Sequence, residues 1–285
     1  MRQTLRWEGD TVSDVNDYYR RYLSRNRDLE NHWTQFQKRE SSDPEAAQAE
    51  AAVFSWLWAE KLKPCLFEDA GKGGPDFCCT NPGGNRFLVE ATSLDSKMIS
   101  ERSGLPAEIT GPGGSSFALI TEKLKAKAQS KAPQLAGHGM PTVLAITSDH
   151  AFARLLMDEL AAEYLTTSAP HFNVPTRGGP SYPTHDFKDS VFQRNTGLVW
   201  PSGSPIAKPA LRSIGAILLI AIDQCEMRIV GLLHPDAANP FHPEWLAMIP
   251  FVRFTGLVTF DNELTEWLQV IDNRREATFP HLHLR

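Results

Sequence analysis

This chain has no long apolar run, no CxxC pair, no GK[ST] ending, no GxSxG elbow and no excess of positive charge. Each absence removes a class of function. The longest apolar stretch, IGAILLIAI at 214–222, is well short of the roughly 20 residues that a membrane-spanning helix needs. The opening MRQTLRWEGD has no apolar signal core, so the expected setting is cytoplasmic with no membrane partner. The four cysteines, Cys65, Cys78, Cys79 and Cys225, lack the spacing of a zinc site or a disulfide framework and are expected to be buried thiols. Without GxSxG, a serine-hydrolase elbow is discarded. GPGGSS at 111–116 offers backbone amides to a phosphate but lacks the lysine of a P-loop. The formal charge of −5 means that any nucleic-acid partner must be held by a local basic patch and not by the field of the whole molecule. No internal repeat is present.

What remains is an ordinary globular composition, 41% hydrophobic and 22% charged, over 285 residues. Residues 1–43 are polar, with aromatic residues at roughly helical spacing, and read as a helical extension of one or two surface helices. Pro44 follows Asp43 where a helix begins, and EAAQAEAAVFSWLWAEKL at 45–62 reads as a strong helix capped by Asp43. Three short strand-like pieces come next, at 64–68, 75–80 and 86–92, joined by the glycine-bearing turns GKGG and NPGG, and they read as a β-meander. A helix over about 117–131, a buried strand at 141–147 and an amphipathic helix at 150–165 complete a core spanning 44–165. Residues 166–213 are dense in Pro, Gly, Ser and His and read as a loop or cap insertion. Strands at 214–222 and 228–234 resume the sheet, and LTEWLQVIDNRR at 264–275 reads as a closing helix within a last segment, 214–285. The expected fold class is α/β, a mixed central sheet flanked by helices in a single domain.

Two acids stand out within the meander. Asp76 directly follows a proline and Glu90 lies inside the apolar run RFLVEAT. An ionised carboxylate there is costly unless a cation or hydrogen bonds compensate. If the two segments pair antiparallel about the NPGG turn, Cys78 faces Leu88, Thr80 faces Arg86 and Asp76 faces Glu90, so the two acids lie side by side. Oxygen ligands of this kind suit Mg²⁺ or Mn²⁺ better than zinc.

Pro75-Asp76 with Val89-Glu90-Ala91-Thr92 resembles the PD-(D/E)xK nuclease superfamily, the restriction-endonuclease-like fold. The resemblance covers residues 45–147, about a third of the chain, and implies an αβββαβ core. It further implies that Asp76, Glu90 and the Ala91 carbonyl bind Mg²⁺ or Mn²⁺, and that the chain hydrolyses phosphodiester bonds. DNA is the expected substrate, in genome defence or repair, with a homodimer compatible with duplex cleavage. The family's usual lysine two positions after the Glu is Thr92 here, left to hold a water or a phosphate oxygen. Some family members carry this lysine on the following helix. There Ile120, Leu124 and Ala128 form one stripe, and Lys127 projects beside it as the candidate displaced cation, with Lys123 and Lys131 as neighbours one turn away that could touch phosphate. The competing reading is that these lysines only border a core-facing stripe. Glu50 falls between Phe54 and Leu57 on the helical wheel of 45–62, and the resemblance gives it a catalytic place as a supporting or second-metal carboxylate. The alternative function is an inactive protein of the same fold that binds nucleic acid or serves assembly, since Thr92 supplies no charge. The loop GLLHPDAANPFHP at 231–243, with His234, Asp236, Asn239 and His242, reads as a rigid turn, and PHLHLR at the end lacks partners for a metal site.

Overall fold

The computed structural model describes residues 4–6, 12–68, 73–103, 117–166, 170–173, 182–185, 190–199, 204–223, 226–254 and 265–268. The chain begins with β1 (Thr4–Arg6), α1 (Val12–Arg25), α2 (Glu30–Ser42) and α3 (Pro44–Ala59). β2 (Cys65–Leu66), β3 (Phe77–Thr80) and β4 (Arg86–Ser93) follow. Then come α4 (Ser96–Ser103), α5 (Phe117–Lys131), β5 (Thr142–Ser148), α6 (Ala151–Leu155) and α7 (Glu159–Thr166). Next are β6 (Pro170–Asn173), β7 (Tyr182–His185), β8 (Gln193–Val199) and β9 (Ser204–Pro209). The last strands are β10 (Ala216–Asp223), β11 (Glu226–Leu233), β12 (Phe251–Phe254) and β13 (Thr265–Leu268).

The fold is α/β. One nine-stranded mixed sheet has the order β13-β12-β11-β10-β5-β4-β3-β2, with β1 also pairing on β11. β2-β3 and β3-β4 are antiparallel and β4-β5 and β5-β10 parallel, so the pairing switches at β4; beyond β10 it is antiparallel to β11, parallel from β11 to β12 and antiparallel to β13. β6-β7 and β8-β9 form two small sheets of their own.

β5 is buried along its whole length, as expected of a central parallel strand covered on both faces. Its side chains alternate between two cores. Val143 and Ala145 join Tyr19, Phe36, Phe54, Phe77, Phe87 and Val89 beneath α1 to α3. Leu144 and Ile146 join Ile120, Leu124, Ala128 and Leu165 beneath α5 and α7. α3 starts where it does because the Asp43 carboxylate accepts a hydrogen bond from the Ala46 N–H at 3.1 Å and Pro44 occupies the first turn. Its alanines bring the helix close to its neighbours, and Phe54 is fully buried, a side chain whose removal to Ala costs about 3–5 kcal/mol.

Several expectations need correction. Residues 12–42 form the expected helices, α1 and α2, but these also contribute to the core: Tyr19, Leu23 and Phe36 are buried together with α3. The segment 150–165 is two short helices, α6 and α7, and not one. The expected closing helix over 264–275 is strand β13 in its described part, paired antiparallel with β12, where sheet pairing overrides helical spacing. Cys65 is exposed, although Cys78 and Cys79 are buried as expected; Cys225 lies outside the described residues. α4, β1 and β12 have no counterpart in the sequence reading. The stretch 111–116 and the ending PHLHLR lie outside the described residues. Among the described residues, no helix is long and apolar enough to cross a membrane.

Candidate functional site

The turn between β3 and β4 fixes the register of the acids. The Asn81 N–H donates to the Asn85 carbonyl at 3.0 Å, the Gly84 N–H donates to the Asn81 carbonyl at 2.9 Å, and the Asn85 N–H donates to Asn81 Oδ1 at 2.9 Å. Gly84 has φ +83°, a left-handed conformation that glycine adopts without strain. Cys78 therefore faces Leu88, Thr80 faces Arg86 and Phe77 faces Val89. One step further along the same register, Asp76 comes beside β4, and its Oδ2 accepts a hydrogen bond from the Ala91 N–H at 2.7 Å. Asp76 is thus fastened to the strand that carries Glu90.

Phe87 and Val89 belong to the core under α3, and Leu94 belongs to the core under α5, so alternation turns Glu90 toward the α5 layer. From the last turn of α5, Lys131 Nζ meets Glu90 Oε1 at 2.7 Å. The second oxygen, Glu90 Oε2, is buried and has no hydrogen-bond partner. Such an atom carries a desolvation penalty of about 1–3 kcal/mol or more until something positive meets it.

Glu50 comes from α3, and both of its oxygens are taken. Tyr19 on α1 donates its hydroxyl to Oε1 at 2.7 Å, and Arg39 on α2 bonds Oε2 through Nη1 in a close ion pair. Burial raises the Tyr19 phenol well above its ordinary value and Glu50 raises it further, so this hydroxyl stays a donor over the whole working range of pH.

The acids repel one another. Burial, then Glu90, then Glu50 push the Asp76 carboxyl well above the usual carboxylate range. Burial also raises Glu90, against the opposing pull of Lys131, and raises Glu50, against Arg39 and the Tyr19 hydroxyl. Glu68, just after β2, adds to this negative field: its charge raises Asp76, Glu50 and Glu90 alike. A place with this charge balance stabilises a cation.

Hard carboxylate oxygens, one of them buried and unpartnered, fit Mg²⁺ or Mn²⁺. Among the described residues, no group of three or more His, Cys, Asp or Glu side chains is arranged to hold a metal ion. An ion here would rest on Asp76 and Glu90 with water completing its shell; the Ala91 carbonyl is a ligand only by the resemblance. Mg²⁺ is commonly bound through one or two carboxylates in this way.

The structure separates the two candidate lysines. Lys131, expected only as a neighbour, makes the contact with Glu90. Lys127 has its ammonium pKa lowered by burial and by the adjacent Lys131, while Asp43 and Asp95 draw it back. The reason is position along the axis: Lys131 sits one turn nearer to the end of α5. Lys123, two turns before Lys131, is half-buried. Thr92 is buried and its carbonyl accepts from Thr147 Oγ1 at 3.4 Å, so it fills the expected lysine position without charge.

Sequence reasoning missed Tyr19, Arg39 and Glu68. The signal for the first two was present in the aromatic spacing of 18–36 and in an arginine that precedes the α3 cap by four residues. Two other polar clusters among the described residues are structural. His150 Nδ1 accepts from the Phe152 and Ala153 N–H groups, both at 3.3 Å, so the ring hydrogen is on Nε2, which points to Ser100 Oγ at 3.2 Å. That tautomer cannot take the Ser100 proton. His234 locks its loop by bonding the Ala210 carbonyl at 2.7 Å and accepting from the Asp236 N–H at 2.9 Å, the rigid turn expected.

The chain matches no family model, no curated protein and no solved structure.

Proposed function

We propose that this protein is a Mg²⁺- or Mn²⁺-dependent nuclease that hydrolyses phosphodiester bonds of DNA. The observation that supports the reading is a pair of buried carboxylates, Asp76 just before β3 and Glu90 on β4, with Asp76 tied to the Ala91 N–H at 2.7 Å, Glu90 paired with Lys131 at 2.7 Å and one Glu90 oxygen unpartnered. A divalent ion held there supplies an activated water, neutralises the phosphate oxygens and assists the departing alkoxide.

The chain's own residues would do the rest. Asp76 is oriented by the Ala91 amide, which leaves its other oxygen for the ion. Glu90 offers Oε2 while Lys131 holds Oε1 in place. The Lys131 ammonium then stands where negative charge grows on the phosphorus oxygens, an arrangement that lowers a barrier because the charge is already in position. Lys127 and Lys123 continue the basic face of α5 and would take neighbouring phosphates. Glu50, held by Tyr19 and Arg39, adds negative charge near Asp76, which opposes ionisation of Asp76 in the empty site and favours the cluster once a cation is bound.

Incubation of the purified chain with duplex and single-stranded DNA in Mn²⁺ tests the reading. Cleavage that EDTA abolishes, and that Asp76→Asn and Glu90→Gln both abolish, is the expected result. A second reading, a nucleic-acid-binding protein without cleavage, draws on Thr92 in the lysine position and on an ion pair that already offsets half of the Glu90 carboxylate. DNA binding without turnover under any divalent ion would favour it.

A further inference from the structure

Arg39 reaches this site from the amino-terminal helices and carries a permanent positive charge. Its Nη1 bonds Glu50, yet about a third of the side chain, 34%, stays open to solvent, whereas the Glu50 side chain is only 12% exposed. Glu50 is thus enclosed and Arg39 stands at its mouth. Arg39 is also near the rest of the cluster. Tyr19, which bonds the same Glu50, lies edge-on to Phe77, the residue after Asp76, with ring centroids 6.3 Å apart, and Asp76 and Glu68 stabilise the guanidinium. The layer that carries it, α1 to α3, covers the opposite face of the sheet from α5. Cations therefore flank the acids from both sides, Lys131 from one layer and Arg39 from the other.

The chemistry of the two differs. Lys131 is a point charge committed to Glu90. A guanidinium presents five N–H donors in a planar fork, more than one carboxylate oxygen can use, so it can keep Glu50 and bond a phosphate at the same time. The exposed third of the Arg39 side chain leaves part of that fork open to a ligand from solvent. We infer that Arg39 is a substrate-binding residue, donating its free arm to a phosphate of the bound DNA from the layer opposite Lys131. Tyr19 and Glu50 then serve as its anchor. This rests on the nuclease reading and adds to it a phosphate contact from outside the αβββαβ elements.

The alternative, a counter-ion for Glu50 alone, is separated by a charge-balanced pair of substitutions. Binding of a short labelled DNA duplex is measured across a salt series with Ca²⁺ as the divalent ion, for wild type, Arg39→Lys and the double variant Arg39→Met/Glu50→Gln. Thermal unfolding of each is followed in parallel. The double variant leaves no uncompensated buried charge and is expected to melt near wild type. Its affinity is expected to fall about 10-fold or more, and the slope of log affinity against log salt to become shallower by about one phosphate contact. Arg39→Lys keeps the charge but loses the fork, and is expected to bind several-fold more weakly with its fold intact. If the double variant binds with wild-type affinity and slope, or if it fails to fold and Arg39→Lys binds as wild type does, Arg39 is a counter-ion only. The nuclease reading then still stands. Wild-type protein that binds no DNA at any salt overturns both.

Discussion

Glu50 and Glu90 are two buried glutamates held by two different regions, and the difference in their surroundings sorts their roles. On the α1 to α3 side, Glu50 has a hydroxyl on one oxygen and a guanidinium on the other. On the α5 side, Glu90 has an ammonium on one oxygen and nothing on the second. A carboxylate whose own chain meets all its needs is part of the framework. A carboxylate with a buried oxygen left over is where an outside cation gains most. Asp76, tied by one oxygen to the Ala91 amide and raised by both glutamates, belongs with Glu90.

The widest separation between the two regions is expected in catalysis. On the proposed nuclease reading, Glu90→Gln or Asp76→Asn removes an ion ligand and should lower DNA cleavage by about 10³-fold or more, because a bound divalent ion is worth several kcal/mol of barrier. Glu50→Gln should lower it by only about 10–100-fold, as for a residue that supports ligands without binding the ion. Equal losses from Glu50→Gln and Glu90→Gln in single-turnover assays would erase the distinction.

Stability offers the next contrast. Arg39→Met leaves Glu50 buried without its cation and should reduce unfolding free energy by about 3 kcal/mol, at the low end for a buried pair because Arg39 is partly in water. Lys131→Met should destabilise comparably in EDTA but recover when Mn²⁺ is added, since the ion can replace the ammonium beside Glu90. Arg39→Met should not recover in this way. Chemical denaturation with and without Mn²⁺ reads both.

The pH dependence follows from the raised carboxyls. Asp76, Glu90 and Glu50 bind protons more tightly folded than unfolded. Their contribution to stability is therefore greatest in acid and declines as pH rises from about 4, the ordinary carboxylate value, through their raised values. On the proposed reading, Mn²⁺ takes the ionised form and should reverse this slope, adding about 2.7 kcal/mol at a concentration one hundred times its dissociation constant. Asp76→Asn should flatten the curve in EDTA and abolish the Mn²⁺ gain. The smallest expected effect is Tyr19→Phe, which removes one hydrogen bond to a charged group and should lower stability by about 2 kcal/mol with little change in Mn²⁺ affinity.

The acids and their register were legible because a two-residue strand period and a glycine turn leave little freedom: Cys78 opposite Leu88 and Thr80 opposite Arg86 follow from the turn centre alone. The start of α3 was equally legible, since Asp43 and Pro44 act locally. The choice between Lys127 and Lys131 was not, because both lie near the same face and only the distance along α5 to Glu90 decides. Arg39 and Tyr19 were hidden for a different reason. Their contacts with Glu50 span 11 and 31 residues of sequence and exist only once three helices pack together. β13 was misread because four residues of strand take their shape from β12 and not from their own spacing.

A crystal grown with Mn²⁺ and measured at the manganese absorption edge tests the central claim most directly. The account predicts one anomalous peak bound by an oxygen of Asp76 and Oε2 of Glu90, each at about 2.0–2.6 Å. It also predicts that Glu50 remains on Arg39 and Tyr19. A peak elsewhere, or none at a concentration that supports cleavage, would contradict it.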